Sequence, residues 1–221
     1  MTPLPVAITD KVRLDVKNRV TEGTNGVHSS YGNIFELAAS YLDTRSNDVH
    51  TSISFQMALR LLDYYPAADE SVVLPAVILH DVGWKMIPEQ EQLSAFGPHM
   101  SNPGLRCQHE QEGARIAEDI LKKLGYDPKK AEEIIAIING HDSRDAPLSL
   151  NDKLVKDADK LWRFTPDGVE IDYRRFGFAR EDYLAWLDKQ IDGWMNTPEA
   201  KQIARQQLAG LSRGDSATAF V

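Results

Sequence analysis

The chain has 221 residues, 42% of them hydrophobic and 26% charged, which is enough to bury a core and reads most simply as one globular domain spanning 1–221. Its formal charge of −8, without a long Lys/Arg run, excludes a surface built to neutralise the many phosphates of a nucleic-acid polymer, whereas a few local cations can still favour a small anionic substrate in one cleft. Cys107 is the single cysteine, so no intrachain disulfide can form, and no segment reaches the roughly 20 apolar residues of a membrane span or the apolar run of a secretory signal. The expected location is the cytoplasm.

Apolar residues recur at three- and four-residue spacings, which predicts an all-α fold. Ser29, Ser30 and Asn33 precede or open a helix carrying Ile34, Leu37, Ala38, Tyr41 and Leu42. A second helix is expected over residues 47–65, with Ile53, Met57, Leu61 and Tyr65 on one stripe, His50 near its start and Pro66 ending it. Residues 72–82 are almost continuously apolar and predict a central buried helix, stopped by Gly83. Residues 86–105 hold Pro88, Gly97, Pro98, Pro103 and Gly104 and read as a long irregular connection or lid. Helices resume over 106–124, 128–139 and 149–164, with Gly125 and Gly140 as punctuation. The alternation Val169-Glu170-Ile171-Asp172-Tyr173 suggests a short hairpin arm, followed by amphipathic helices over 181–195 and 198–211. The small polar tail from Ser212 is expected to fray.

The pair His80-Asp81 stands at the end of the apolar run Ala76-Val77-Ile78-Leu79. Two ionisable groups in such surroundings need partners, because an unpaired buried charge is costly. Taken alone, the dipeptide fits two readings equally: a metal site, or a helix cap with Asp81 paired to a lysine such as Lys85. Imidazole nitrogen and carboxylate oxygen are the ligands that divalent Mn, Fe, Co, Ni or Zn accept.

Five separated segments tilt the balance. Val49-His50-Thr51 opens a helix, Leu79-His80-Asp81-Val82-Gly83 follows, and Val155-Lys156-Asp157-Ala158-Asp159-Lys160-Leu161 comes last; between them stand His109-Glu110-Gln111-Glu112-Gly113 and Asn139-Gly140-His141-Asp142. In order and spacing the chain resembles the HD-domain superfamily of helical, metal-dependent phosphohydrolases. The resemblance covers roughly residues 47–163 and leaves 164–221 as a C-terminal elaboration. It implies a helical bundle in which His50, His80, Asp81 and Asp157 hold a first divalent metal (Mn, Fe, Mg, Co, Ni or Zn). His109 and His141 would hold a second, with Asp81 bridging. Gly113, one turn after His109, is expected to leave room for metal or substrate.

The remaining candidates follow from position. Asp142 reads first as a solvated cap, and in its catalytic alternative it orients a ligand or accepts a proton. Asp159, two positions from Asp157, points to another helical face and reads as structural. Lys85, Arg106, Arg144, Lys160 and Arg163 are candidate substrate contacts, Lys160 foremost because it sits one turn after Asp157. His28 and His99 fall outside the motifs and read as non-ligands. Cys107 reads as a packed thiol, and Trp84, Trp162, Trp186 and Trp194 as helical core residues.

The expected activity is hydrolysis of a phosphate ester or anhydride in a small metabolite or nucleotide by a metal-activated water. The alternative is a diiron oxygenase cleaving a C–P or C–C bond with O₂, since relatives with the same six ligands do so; a degenerate binding domain is a third reading. The chain lacks the Gly-Tyr-Pro motif of cyclic-dinucleotide phosphodiesterases and the Glu-Asp pair of stringent-response hydrolases. A homodimer is compatible with the sequence.

Overall fold

The computed structural model describes residues 27–213, with side chains from Tyr31 onward. The predicted fraying beyond residue 213 and the reading of His28 lie outside the described residues and side chains. Ten α-helices and no strand occur among the described residues. In chain order they are α1 (Val27–Ala38), α2 (Asn47–Tyr64), α3 (Glu70–Leu79), α4 (Glu89–Gln92), α5 (Gly104–Lys123), α6 (Pro128–Ile138), α7 (Leu150–Leu161), α8 (Pro166–Phe176), α9 (Arg180–Trp194) and α10 (Pro198–Ser212). None of them is long and apolar enough to cross a membrane.

Helix α3 is central, with every residue from Val72 to Leu79 buried, as its apolar run predicts. Helices α2, α6, α7 and α1 pack around it, α5 lies against α6, and α9 pairs with α10, which also reaches α7 and α2. Caps set the ends. Asp69 accepts from Ser71 N to start α3, Asp127 from Lys130 N to start α6, and Ser149 from Asp152 N to start α7.

Three expectations need correction. The α3 helix stops at Leu79 rather than at residue 82, and the chain tightens into a 3₁₀ turn, Val82–Met86, laid directly on α5. Gly83 permits this as a site of close approach: a Cβ there would meet the His109 carbonyl oxygen at 1.9 Å and the Gly113 nitrogen at 2.5 Å.

The stretch 86–105 is also more ordered than an irregular connection. It contains α4 and a second 3₁₀ turn, Leu93–Ala95, and Trp84, Ile87, Ala95, Phe96 and Leu105 form a small second core. Buried Gln92 stitches it together by donating to the carbonyls of Trp84 (3.1 Å) and Ile87 (2.9 Å).

The proposed hairpin arm is helix α8. Thr165 caps it by accepting from Gly168 N, Pro166 occupies its first turn, and Gly177 ends it at φ 72°. Val169 and Asp172, three residues apart, are both buried, which is a helical and not an alternating pattern.

Candidate metal centre

Five of the six predicted ligands meet. His50 comes from the first turn of α2, His80 and Asp81 from the link between α3 and the 3₁₀ turn, His109 from α5, and His141 from the bend after α6. All five are buried. The Nε2 atoms of His50 and His80 lie 2.9 Å apart, and those of His109 and His141 3.4 Å apart. Asp81 stands between the pairs. Its Oδ2 is 3.9 Å from His50 Nε2, while its Oδ1 is 3.8, 3.6 and 3.5 Å from the Nε2 atoms of His80, His109 and His141.

Asp157 is the exception, and the structure corrects it. Its Oδ1 accepts from Asn196 N (2.7 Å) and Nδ2 (3.0 Å), and its Oδ2 from Thr197 N (2.9 Å) and Oγ1 (2.6 Å). These four bonds tie α7 to the start of α10 and point the carboxylate away from the histidines. Asp159, read from the sequence as structural, faces them instead: its Oδ1 is 3.2 Å from His50 Nε2 and 3.5 Å from His80 Nε2. A two-residue step on a helix turns a side chain by about 200°, so one aspartate faces the cluster and the other the bundle.

The donor chemistry fits divalent ions. His80 Nδ1 lies 2.7 Å from the Val77 carbonyl and His141 Nδ1 2.9 Å from that of Ile138. A carbonyl only accepts, so each Nδ1 carries a hydrogen, and each ring in its neutral form offers its Nε2 lone pair inward. Lone pairs crowded this closely call for a proton or a cation between them. Two atoms each about 2.1 Å from one ion sit about 2.9–3.5 Å apart, at octahedral to tetrahedral angles. Three groups could each hold an ion: His50, His80 and Asp81; His80, His141 and Asp159; and Asp81, His109 and His141.

Electrostatics keep the carboxylates ionised. Burial works against the charge of Asp81 and Asp159, but His80 beside Asp81 and Lys160 beside Asp159 hold both carboxyls well below the usual range. Asp142 is likewise depressed, with Lys160 overcoming burial. Burial lowers His109 to about 3, whereas the surrounding carboxylates, Asp81 foremost, overcome burial at His141 and raise it to about 9.

Asp142 is not a solvated cap. Its Oδ2 lies 3.7 Å from His109 Nε2 and 3.8 Å from His141 Nε2, and its Oδ1 receives Lys160 Nζ at 2.5 Å. The bend that carries it is clamped from two sides. Glu110 accepts from Asp142 N (2.7 Å), Ser143 N (2.8 Å) and Ser143 Oγ (2.6 Å), and buried Lys156 donates to the carbonyls of Gly140, His141 and Arg144. Gly140, at φ 141°, makes the reversal.

The predicted substrate cations divide. Lys85 is exposed and paired with Asp43, away from the cluster. Lys160 lines the cleft and touches the centre through Asp142 and Asp159. Arg144 is tied to Asp152 and to the carbonyls of Ala136 and Asn139. Arg163 pairs with buried Asp172. Only Arg106 among these five lines the cleft over the centre with no ion pair to a described residue.

Other expectations also shift. Gly113 makes room for backbone, since a Cβ there would sit 3.3 Å from the His80 carbonyl oxygen, and not for a ligand. Cys107 is exposed, two positions from buried His109 and on the opposite face of α5. Trp84 is more than core: it stacks on His109 at 4.0 Å and donates Nε1–H to Asp81 Oδ1 at 3.0 Å. Trp162 packs on His50, with ring centroids 4.7 Å apart. His99 stacks on Phe178, outside the cluster.

A family model described as HD domain matches residues 48–163, just over half of the chain. No curated protein and no solved structure matches it at a significant level.

Proposed function

The chain belongs to the HD-domain family of metal-dependent hydrolases, and on that premise we propose that it is a phosphohydrolase using two divalent ions on a small phosphorylated metabolite or nucleotide. One observation carries this reading: Asp81 presents one oxygen towards His50 and the other towards His109 and His141, the arrangement a bridging carboxylate needs. We assign His50, His80, Asp81 and Asp159 to one ion, and His109 and His141, with Asp81, to the second.

Ions bound there would lower the pKa of a ligated water and polarise a phosphoryl oxygen. The residues do the rest. His80 and His141 are fixed in the tautomer that offers Nε2, Trp84 and Trp162 hold His109 and His50 in place, and the cleft above the cluster admits substrate. Asp142, kept ionised by Lys160, accepts a hydrogen bond at Oδ2 and orients the attacking water; its depressed pKa suits it to orienting rather than to storing a proton.

The test is phosphate or pyrophosphate release from a panel of phosphate esters and anhydrides, with protein loaded separately with Mn, Mg, Co, Ni, Fe or Zn. Turnover that His80→Ala and Asp81→Asn abolish is the expected result. Folded, metal-loaded protein with no phosphate release from any member sinks the proposal, and O₂ uptake by the iron-loaded form would replace it with the oxygenase chemistry.

A further inference from the structure

The cations around the cleft are nearly all committed. Arg144 is held by Asp152, Lys156 by three carbonyls, Lys160 by Asp142 and Asp159, and Arg163 by Asp172. Two are not. No hydrogen bond or ion pair from a described residue reaches the guanidinium of Arg45 or of Arg106, and Arg45 Nε and Nη1 and Arg106 Nε are shut from solvent without a partner. Both residues are half-buried and line the cleft over the histidine cluster. Buried guanidinium nitrogens with no acceptor are costly, so their retention beside an anion-processing site asks for an acceptor that arrives with a ligand.

Arg45 is also built into place. Its Cζ lies 4.0 Å from the ring centroids of both Trp84 and Phe96. Two groups cannot share one face of Trp84 at this distance, so His109 and Arg45 occupy opposite faces, giving the stack His109, Trp84, Arg45, Phe96. The backbone supports it. Arg45 and Ser46 have φ of 55° and 60°, a costly left-handed pair of non-glycine residues, and Arg175 donates to the Arg45 carbonyl at 2.5 Å. With its plane sandwiched and Nε and Nη1 shut from solvent, the guanidinium meets a ligand edge-on at its remaining nitrogen, Nη2, as a charge-assisted donor to phosphate or carboxylate.

We propose that Arg45 and Arg106 form an anion seat beside the metal centre, so that the substrate carries two anionic groups, one phosphoryl group over the cluster and a second phosphate or carboxylate on the arginines. The stack sets their separation. The indole of Trp84 lies between Arg45 and His109, so an anion on the guanidinium edge is set apart from one held on the His109 side. The seat deepens the phosphohydrolase reading by naming its substrate class, but it can be tested without turnover.

In EDTA-treated full-length protein, inorganic phosphate and malonate are titrated separately, by calorimetry and by tryptophan fluorescence, since Trp84 lies on Arg45. Arg45→Met and Arg106→Met should each weaken binding at least about tenfold, the scale of one lost charge-assisted hydrogen bond. Arg115→Met, which removes an exposed cation from the same helix as Arg106, should not. Arg45→Lys keeps the charge without the planar guanidinium and should fall between. The preference between phosphate and malonate identifies the second group as phosphate or carboxylate.

No binding by wild type, or equal weakening in Arg115→Met and the cleft variants, overturns the seat. Should Arg45→Met fail to fold, Arg106→Met decides alone. On the Mn-loaded enzyme, the ratio of kcat/KM for phosphoglycolate to that for p-nitrophenyl phosphate should drop in Arg45→Met. A protein that binds both anions at the arginines yet turns over no substrate loses the hydrolase reading and keeps the seat.

Discussion

Asp157 and Asp159 stand two positions apart and should differ in metal binding. Asp157→Asn puts an amide against donors from Asn196 and Thr197. A buried donor left unpaired costs about 1–3 kcal/mol, so a loss on the order of 3 kcal/mol is expected. For a chain of this size that is a fall in Tm of roughly 6–12 °C. Metal stoichiometry, measured by elemental analysis, should stay at the wild-type value. Asp159→Asn should instead weaken metal affinity by at least about tenfold, and it also costs the metal-free fold the stability that the ionised carboxylate contributes beside Lys160. If Asp157→Asn loses metal and Asp159→Asn keeps it, the assignment of the fourth ligand is reversed. The distinction was legible in the sequence. Asp157 falls in the apolar stripe Leu154, Ala158, Leu161, whereas Asp159 falls in the charged stripe Lys156, Lys160, Arg163 that lines the cleft. Helical phase, rather than proximity to the family motif, picks the ligand. Arg45 carried no such signal, because what sets it apart is a stack between two rings distant in sequence and the lack of a partner, which only tertiary packing creates.

At the scale of elements, the site depends on the 3₁₀ turn Val82–Met86 lying against α5, and Gly83 is the contact point. Gly83→Ala places a methyl 1.9 Å from the His109 carbonyl, a backbone atom that cannot swing away. The turn must lift, taking Asp81 and Trp84 off His109. We expect a loss on the order of 3 kcal/mol or more in urea denaturation, together with loss of the His109–His141 ion before the other. A variant with wild-type stability and full metal content would show that the turn has slack. The same scale explains which elements could be read beforehand. Helices α2, α6, α7 and α10 have caps or proline breaks close to the expected positions, because capping chemistry is local. Helix α8 was obscured by a five-residue alternation, yet Thr165, Pro166 and Gly177 are start and stop signals that outweigh it. The end of α3 was beyond local reading: no proline or glycine stands at Leu79 to mark it, and the 3₁₀ turn that follows is laid against α5.

For the molecule as a whole, metal and proton compete for one buried cluster, and the signs can be worked out. In the metal-free protein His141 is raised to about 9 by the carboxylates around it. A histidine whose folded pKa exceeds its unfolded value of about 6.5 stabilises the fold fully below that value and loses its contribution as pH rises towards 9. Asp81, Asp142 and Asp159 are depressed, so their contribution is present above the unfolded carboxylate value of about 3.9 and is lost as pH falls through and below it. His109 is held down to about 3 by burial, so the unfolded imidazole takes its proton first and stability falls as pH drops below about 6.5. Metal-free protein should therefore be most stable near about pH 6.5 and should weaken towards both about pH 4 and about pH 9. Binding an ion at His141 Nε2 requires the proton to leave, so apparent metal affinity should climb over that same interval, by up to about tenfold per pH unit for each proton released. Thermal denaturation in EDTA and with Mn across pH 4–9 should thus give curves that diverge above about pH 6.5, the metal-free one falling while the loaded one holds. Calorimetry in buffers of different ionisation enthalpy should count about one proton released per chain near pH 7.5. Parallel curves with no proton release would mean that His141 is already neutral before metal arrives, and that the carboxylates around it are screened by something other than the imidazole.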